Sequence, residues 1–389
     1  MKKKKVLLFT DNFDPRAGGA EEVFFQLKHE LEKDRSLDVY SFGFGEEKTE
    51  KNSKVFSESN SIFLRHLNRI FFNPIKYREL RKSIEKINPD IIHLHNINKY
   101  TISLLKACRG FKTIQSVHDY SLVDPTLWNT HSDNNVCKEG FSNSCFREHK
   151  RDYFLPIYLS QIYFFRKRNR LLKKQIKTFT TPSKELSQSM EKAGFENVIT
   201  IPNFIDIASS KPYFDKIEKN SFLYVGKLEE NKGVLILIDE FQKALKINPK
   251  LKLKIAGVGA FKNKLETEIK NRSLERSIKL LGWINPKEEY LRNQILIVPS
   301  IICESFGLVT AQAMANYRGV IGSNRGGTLS LIDDGKTGLI FDPTKKGDLA
   351  KKILSIDNKS VKDYGDASYK KIKGFISKKQ IIKDIIKLY

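Results

Sequence analysis

The chain has 389 residues, which is long enough for two domains, and its apolar content of 40% is sufficient to build their cores. Its formal net charge of +24 suits nucleic acid, an anionic membrane surface or small anionic substrates, so charge alone does not choose between them. No stretch has the roughly 18 consecutive apolar residues of a membrane span. The apolar run behind the first lysines, Val6 to Phe9, is too short for a signal peptide, and we expect a cytoplasmic protein.

The first predicted strand, Val6 to Thr10, leads into a glycine-rich turn that opens a helix. Gly18 and Gly19 stand at the amino end of that helix, and Glu21 lies in its first turn. Amides at this end have no acceptor within the helix, so the turn can approach an anion or another ligand closely. The spacing lacks the G-x-G-x-x-G pattern of dinucleotide sites, which argues against a dehydrogenase. Simple helix capping is the alternative.

Two later strands of the first half end in polar residues. The segment Pro89 to Asn96 predicts a strand that ends at His95 and Asn96, and Thr113 to Val117 predicts a strand that ends at His118. Ligands of doubly wound sheets gather at the carboxyl ends of the strands. His118 is therefore a candidate ligand contact, and a histidine with a purely structural role is the alternative.

Residues 61–87 and 152–177 mix basic and aromatic side chains, and the second stretch is predicted to be one helix. The basic residues of its carboxyl half, which has no acid, are Arg166, Lys167, Arg168, Arg170, Lys173, Lys174 and Lys177. Such a helix suits an anionic membrane surface or a lipid pyrophosphate. The alternatives are helices that cover a sheet with solvated basic faces and a nucleic-acid groove, although no RNA-binding or DNA-binding motif is present.

Residues 121–150 are predicted to form a loop-like insertion with a loose cluster of His131, Cys137, Cys145 and His149. The spacings fit no common zinc pattern, so we predict no metal site. The expected reducing compartment argues against disulfides. The roles of the two cysteines stay open.

Residues 206–220 are polar and typical of a linker, and Phe222 to Val225 then predicts the first strand of a second sheet. Lys227 and Lys232 lie in the loop behind that strand, where two cations could stabilise a diphosphate. Gly257 follows the next strand, at the border of a predicted base pocket. Further strands at similar spacing predict a second doubly wound sheet.

The segment from Ile295 to Gly327 predicts strand, loop, helix and strand, with Glu304 in the loop and the helix opening at residues 306–309. The first helical amides would point outwards with the positive end of the helix dipole, which suits a diphosphate. Glu304 would lie just outside the helix, where it could bind sugar hydroxyls. The alternative is an ordinary loop with a solvated acid.

The sequence from Glu304 to Gln312, ESFGLVTAQ, resembles the glutamate-x7-glutamate signature of retaining glycosyltransferases of family 4, which have the GT-B fold. The chain departs from the signature at Gln312, where the family has a second glutamate that holds the ribose hydroxyls of the sugar nucleotide. A glutamine amide can still bind a diol, but the charge-assisted part of the bond is lost. Donor binding would weaken by roughly 1 kcal/mol without compensation.

Three further features of the chain resemble the same family: the G-G-x-E loop, the P-D-x-x-H-x-H segment and His118. The resemblance implies two Rossmann-like domains, each with a doubly wound parallel sheet, that face a central cleft. Residues 1–205 would form the acceptor-binding domain, 206–220 the linker and 221–375 the nucleotide-sugar domain. Residues 376–389 would form a helix that crosses back to the first domain.

The resemblance implies a metal-independent transfer, with retention, from a UDP-, GDP- or ADP-sugar to a glycan or lipid-linked acceptor in cell-surface polysaccharide biosynthesis. Family members often act at the inner membrane face, and no nucleic acid is expected as a partner. The expected site residues are His118, Glu304 and Lys232 for catalysis; Gly19, Lys227, Lys232, Gly257, Glu304, Phe306, Gly307, Leu308, Val309 and Gln312 for the donor; and Gly18, Glu21, His95 and Asn96 for the acceptor.

Three other functions remain open. A nucleotide-sugar epimerase could share the fold but should show further acids in the cleft. A catalytically silent partner subunit is suggested by Gln312 and would bind the donor weakly without turnover. A nucleic-acid-binding protein is suggested only by charge and would show RNA binding that depends steeply on salt.

Overall fold

The computed structural model of this chain describes residues 3–46, 52–137, 141–142, 146–149, 154–208 and 217–389. The chain divides into two compact units. The first unit comprises Met1–Leu127, Lys138–Asn203 and Lys378–Tyr389, and the second comprises Trp128–Cys137 and Phe204–Ser377. Within the described part of the chain, no helix is both long and apolar enough to cross a membrane.

The first unit is built on seven parallel strands in the order β3-β2-β1-β4-β5-β6-β7. The strands are β1 Lys4–Thr10, β2 Leu37–Phe44, β3 Ser53–Phe56, β4 Ile91–Leu94, β5 Thr113–Ser116, β6 Thr178–Thr181 and β7 Val198–Thr200. The helices are α1 Gly19–Glu32, α2 Ile62–Ile70, α3 Pro74–Ile87, α4 Thr101–Ala107, α5 Leu155–Gln175, α6 Lys184–Lys192 and α14 Lys378–Leu388. The order of the strands reverses between β1 and β4.

The second unit repeats this plan with six parallel strands in the order β10-β9-β8-β11-β12-β13. The strands are β8 Ser221–Val225, β9 Lys252–Ala256, β10 Ile278–Gly282, β11 Ile295–Val298, β12 Gly319–Ser323 and β13 Gly338–Phe341. The helices are α7 Val234–Ile247, α8 Lys262–Asn271, α9 Lys287–Arg292, α10 Leu308–Ala315, α11 Thr328–Leu331, α12 Asp348–Leu354 and α13 Asn358–Phe375. The prediction of two doubly wound parallel sheets is confirmed.

Continuous apolar runs form the central strands because helices cover both faces of a parallel sheet. In β1, the side chains from Val6 to Phe9 are fully buried, and β11 is buried along its whole length. The second unit has its own core between the sheet and helices α7, α8 and α12, around Phe222 and Phe241. The central strands of each unit are therefore held by the helices that cover their own sheet.

The last residue of the chain anchors α14 to the sheet of the first unit. The hydroxyl of Tyr389 lies 2.8 Å from Nδ1 of His93 in β4, and Lys4 Nζ donates to the Tyr389 carbonyl oxygen at 2.8 Å. Nε2 of His93 lies 2.7 Å from Oγ of Ser116 in β5. A polar chain thus runs from α14 through the interior of the sheet, directly behind the ends of β4 and β5.

Candidate active site

The strand order of the second unit reverses between β8 and β11, which are hydrogen-bonded neighbours. Loops that leave two strands at such a switch point diverge and leave a crevice at the carboxyl edge of the sheet, where ligands of α/β proteins bind. Lys232 lies in the loop behind β8, and Glu304 lies in the loop behind β11. The sheet topology therefore brings together two residues that are 72 positions apart.

A glycine holds these two loops in contact. Gly233 has φ +69°, and a Cβ at this position would lie 1.9 Å from the carbonyl oxygen of Pro299. The amide of Ile301 donates to the Asn231 carbonyl at 2.9 Å beside this contact. Only glycine adopts this left-handed backbone easily and fits where there is no space for a Cβ, so the close approach of the two loops depends on Gly233.

Lys232 and Glu304 form an ion pair. Lys232 Nζ lies 2.7 Å from Oε1 of Glu304, and the hydroxyl of Ser300 donates to the same oxygen at 2.5 Å. Burial raises the pKa of Glu304, but the charge of Lys232 and the hydrogen bonds from Lys232 and Ser300 outweigh burial and leave the pKa below its usual value. Glu304 is therefore an ionised, oriented carboxylate at neutral pH.

The amino end of α10 lies directly behind Glu304. Gly307 precedes the helix with φ +87°, and the amide of Ala311 makes the first bond of the helix, to the Gly307 carbonyl at 3.0 Å. The amides of Leu308 and Val309 precede that bond and so have no acceptor within the helix. The positive end of a helix with open amides attracts anions.

Two buried hydroxyls adjoin this helix end. A Cβ on Gly307 would lie 3.1 Å from Oγ1 of Thr328 and 3.3 Å from Oγ1 of Thr310. Both threonines are at most 1% exposed, and neither hydroxyl has a hydrogen-bond partner among the residues that the structure describes. A buried hydroxyl without a partner is costly, so its presence beside open amides points to a polar ligand.

The loop behind β12 fixes the backbone of Glu304. A Cβ on Gly326 would lie 2.2 Å from the Glu304 carbonyl oxygen, and Gly327 donates its amide to that oxygen. The loop behind β12 thus packs against the Glu304 loop. Three neighbouring strand ends, of β8, β11 and β12, define the position of the carboxylate.

The first unit pairs His95 with His118 at the ends of β4 and β5. Nδ1 of His95 lies 2.8 Å from Nε2 of His118, and the two rings are stacked with centroids 5.1 Å apart. Burial lowers the pKa of His118 to about 4 and lowers the pKa of His95 well below its usual range. Both rings are neutral at pH 7, so one nitrogen of the shared bond carries the proton.

The surroundings of His95 assign that proton. Nε2 of His95 is buried and has no hydrogen-bond partner in the described part of the chain. A buried N–H without an acceptor is less acceptable than a buried lone pair without a donor. We therefore assign the shared proton to Nδ1 of His95, which leaves His118 with its own proton on Nδ1 as a hydrogen-bond donor.

Two family models match the chain in succession. The model described as Glycosyltransferase Family 4 matches residues 17–209, and the model described as Glycosyl transferases group 1 matches residues 208–371. The chain belongs to the group 1 glycosyltransferases. The resemblance seen in the sequence is thereby confirmed.

The relatives of this family member include glycosyltransferases with different named activities. The poly(ribitol-phosphate) alpha-N-acetylglucosaminyltransferase of Staphylococcus aureus is 28% identical over 167 residues, which is 43% of this chain and 34% of that protein. The phosphatidyl-myo-inositol mannosyltransferase of Mycolicibacterium smegmatis is 23% identical over 300 residues, 74% of this chain and 67% of that protein. For the first six relatives the matched segments span between 34% and 56% of the relative's own length.

A solved structure gives the fold of this family member. HepE of Anabaena, crystallised with UDP and glucose, superposes with a TM-score of 0.73 over 99% of this chain and 98% of its own, at 19% identity. At this identity the likeness shows the fold alone. The fold is GT-B, as the sequence predicted.

Several residues that were predicted from the sequence to bind the donor lie in environments that the sequence did not predict. Phe306 is 2% exposed, so its side chain packs in the core and only its backbone could meet a ligand. A Cβ on Gly257 would lie 1.8 Å from the carbonyl of Gly226, which makes Gly257 a packing glycine between two loops. The side chain of Lys227 is exposed. Gln312 is half-buried, and its amide oxygen accepts from the hydroxyl of Tyr290 at 3.2 Å.

The residues assigned to the acceptor lie at the carboxyl edge of the first sheet. Glu21 is 5% exposed and accepts from the Asn12 amide at 3.0 Å, so it holds the loop behind β1. Gly18, which precedes α1, and Asn96 are half-buried, whereas Gly19, which was assigned to the donor, is exposed at the first position of α1. His95 is 1% exposed, which corrects its assignment: its side chain contacts His118 rather than an acceptor.

Sequence reasoning missed Asp11, at the end of β1. Its carboxylate accepts from the backbone amides of Asn98 and Lys99, behind β4, and thereby joins the two loops at the switch point of the first sheet. Burial raises the pKa of Asp11 to about 7, although those hydrogen bonds lower it. Its position at a strand end, the same signal that identified His118, could have identified it. Ser300, Thr310 and Thr328 were also missed.

Some predictions fall on residues outside the described ranges. Cys145 is one of them, as are residues 209–216 of the predicted linker. Cys137, Cys108 and Cys303 are described and buried. The predicted absence of a metal site stays a prediction.

Proposed function

We propose that this chain transfers a sugar from a nucleoside diphosphate sugar to a glycan or lipid-linked acceptor with retention of anomeric configuration. The setting would be cell-surface polysaccharide biosynthesis, in the cytoplasm or at the inner face of the membrane. The ion pair of Lys232 and Glu304 beside the open amides of α10 is the observation that carries this proposal.

Lys232 and the end of α10 stabilise the departing diphosphate in this proposal. A lysine ammonium has three donors, so Lys232 can keep its bond to Glu304 and still bind phosphate oxygens. The amides of Leu308 and Val309, which have no acceptor within α10, add neutral donors. So do the hydroxyls of Thr310 and Thr328, which have no partner among the described residues. Such preorganised donors stabilise charge that develops as the bond to the sugar breaks, and they make a metal unnecessary.

The remaining roles concern the sugar, the ribose and the acceptor. Glu304 accepts from sugar hydroxyls, and His118 donates from Nδ1 to a sugar oxygen. Gln312 holds the ribose through its amide. His95 acts as a positioning residue that fixes the tautomer of His118. Retention requires no protein nucleophile in this scheme. The switch-point loops of the first unit bind the acceptor through Gly18 and Asn96, and Gly19 contacts the donor.

We propose a UDP-sugar as the first candidate donor, because HepE, which has the same fold, was crystallised with UDP and glucose. GDP- and ADP-sugars are the alternatives. The two relatives are named for acceptors that contain phosphate, a poly(ribitol-phosphate) and a phosphatidyl-myo-inositol. Their names support an acceptor that contains phosphate for this chain as well. Calorimetric titration with UDP-, GDP- and ADP-sugars would identify the base.

Turnover of Lys232→Ala and Glu304→Ala tests the proposal. We expect each variant to lose about 10²–10³-fold or more in kcat, the usual effect of removing one preorganised electrostatic contact. Lys243→Ala is the matched control, because it removes a lysine paired with Glu240 on α7, away from the strand-end loops. Unchanged turnover in Lys232→Ala would refute the assignment.

A catalytically silent partner subunit is the second candidate, because Gln312 stands where the family has a glutamate. This candidate requires weak donor binding with no transfer or hydrolysis of any sugar nucleotide in the panel. Sugar transfer by the native chain that is preserved or improved in the Gln312→Glu variant would exclude a silent subunit.

A further inference from the structure

Two helices of the first unit, α2 and α5, expose apolar side chains. Phe63 of α2 is 68% exposed and Tyr163 of α5 is 53% exposed. We define the α2–α5 surface by exposed apolar residues of these helices together with Phe71, which directly follows α2: Phe63, Leu64, Phe71, Leu155, Leu159 and Tyr163. Single exposed apolar residues are ordinary, but several on adjoining helices mark an interaction site.

Contacts between the helices make this one surface. Nε2 of His66 in α2 lies 3.3 Å from Oγ of Ser160 in α5. Nζ of Lys167 lies 5.5 Å from the ring centroid of Phe71 and 5.3 Å from that of Tyr163. The two aromatic rings therefore flank a single cation, so apolar rings and positive charge lie side by side on this surface.

The exposed face of α5 changes from apolar to basic along its length. Leu155, Leu159 and Tyr163 follow one another at helical spacing, and Arg170 and Lys174 continue the same face. All five side chains are exposed. Neither α2 nor α5 contains an aspartate or a glutamate, so no acid of these helices offsets their basic side chains.

This combination favours one class of partner. A second copy of the chain would bring the same cations together, which costs free energy. Nucleic acid would satisfy the cations but would leave Leu155 and Leu159 in water. The interface of an anionic bilayer accepts both kinds of side chain, because rings and aliphatic chains enter the boundary between headgroups and acyl chains while lysines and arginines contact lipid phosphates.

We propose that the α2–α5 surface docks the chain on an anionic lipid bilayer. Phe63, Leu159 and Tyr163 enter the headgroup region, and Arg170 and Lys174 bind lipid phosphates. The surface uses residues of the first unit only, and binding to vesicles needs no turnover. Failure of the proposed transferase activity would therefore leave this proposal standing, and the reverse also holds.

Co-sedimentation of the full chain with vesicles tests the proposal. We expect binding to vesicles of phosphatidylcholine and phosphatidylglycerol, little binding to phosphatidylcholine alone, and weaker binding at high salt. Arg170→Gln with Lys174→Gln should weaken partitioning about 25-fold, which is about five-fold, or ~1 kcal/mol, for each basic residue. Leu159→Ser with Tyr163→Ser should weaken it about ten-fold or more.

Matched changes in the second unit serve as controls. Lys359→Gln with Lys362→Gln removes the same charge from exposed positions of α13, and Ile247→Ser removes an exposed apolar residue of α7. These variants should bind as the native chain does, and circular dichroism should show every variant folded. Equal losses in the controls, no binding of the native chain to anionic vesicles, or binding unaffected by salt would overturn the proposal. A concentration-dependent dimer that needs Tyr163, without vesicle binding, would also overturn it.

Discussion

Replacing Lys232 by alanine reverses the effect of Glu304 on stability. In the native chain the pKa of Glu304 lies below its ordinary value of 4.5, because Lys232 and Ser300 outweigh burial. A depressed acid pKa contributes stability that is fully present above pH 4.5 and is lost as the pH falls through the folded pKa. Without Lys232, burial dominates and raises the pKa above 4.5, so the ionised carboxylate destabilises the fold at neutral pH and this cost disappears on acidification.

The size of the effect follows from the burial of the pair. Lys232 is 24% exposed and Glu304 is 19% exposed, so solvent screens the pair only in part. A hydrogen bond to a charged group contributes about 1.5–3 kcal/mol, and an unpaired buried acceptor adds a desolvation cost. We expect Lys232→Ala to lower the free energy of unfolding by about 2–3 kcal/mol at pH 7 and by less than about 1 kcal/mol at pH 4, where Glu304 is protonated in the variant.

Tryptophan fluorescence during urea unfolding measures the effect in the right unit. The chain has two tryptophans, Trp128 and Trp283, and both belong to the second unit. The double variant Lys232→Ala with Glu304→Gln should regain most of the loss at pH 7, because no charge is then left without its partner. An equal loss at both pH values, or no recovery in the double variant, would show that Lys232 stabilises by packing and would refute the electrostatic explanation.

Three further changes test the loops and the histidine pair. Gly233→Ala should destabilise the second unit by about 2 kcal/mol or more beyond Gly282→Ala in urea unfolding, since both sites have φ near +70° but only the first lacks space for a Cβ. His95→Ala should lower kcat about as much as His118→Ala, and the double variant should lose little more, because one histidine acts through the other; additive losses would contradict this coupling. Gln312→Glu should preserve donor affinity or improve it by roughly 1 kcal/mol in calorimetry, and a large loss would show that a neutral amide is required there.

The sequence identified the strands that carry the site because those strands are continuous apolar runs. β1, β8 and β11 are buried on both faces and stand next to loops rich in glycine and polar residues. The amino end of α10 was also identifiable, since a glycine precedes an apolar helix. The side chain of Ser183 accepts from the amide of Leu186 and caps α6, and a serine directly before a helix is a local signal of the same kind. Local signals of this kind depend on neighbours in the chain.

Other elements depend on distant neighbours and gave weaker signals. β2 contains Asp38, Ser41 and Gly43, which are uncommon in strands, and its place is set by pairing with β1 and β3. β3 and β13 are four-residue strands, and each lies at one edge of its own sheet. The composition of β3 gives little strand signal, and β13, although apolar, is only four residues long. All three strands lie beside a strand that offers unsatisfied backbone groups.

His95 shows why position at a strand end is insufficient to assign a ligand contact. His93 and His95 are two residues apart, so they lie on the same face of the sheet, with ring centroids 4.5 Å apart. That face is covered, and His95 is buried beneath His118. The sequence gives the distance of a residue from the end of its strand, whereas exposure depends on what other elements place above it.

The departure from the family at Gln312 bears on one part of the donor only. The groups proposed for the diphosphate are Lys232, the open amides of α10 and the hydroxyls of Thr310 and Thr328, and Gln312 is not among them. The ion pair alone does not distinguish the two candidates, because Lys232 also stabilises the fold. The hydroxyls of Thr310 and Thr328 do distinguish them, because a buried hydroxyl with no partner among the described residues is costly unless a ligand binds it. These groups occur together, and the departure falls on the residue that we propose for the ribose. This combination favours an active transferase with an altered donor affinity over a silent subunit.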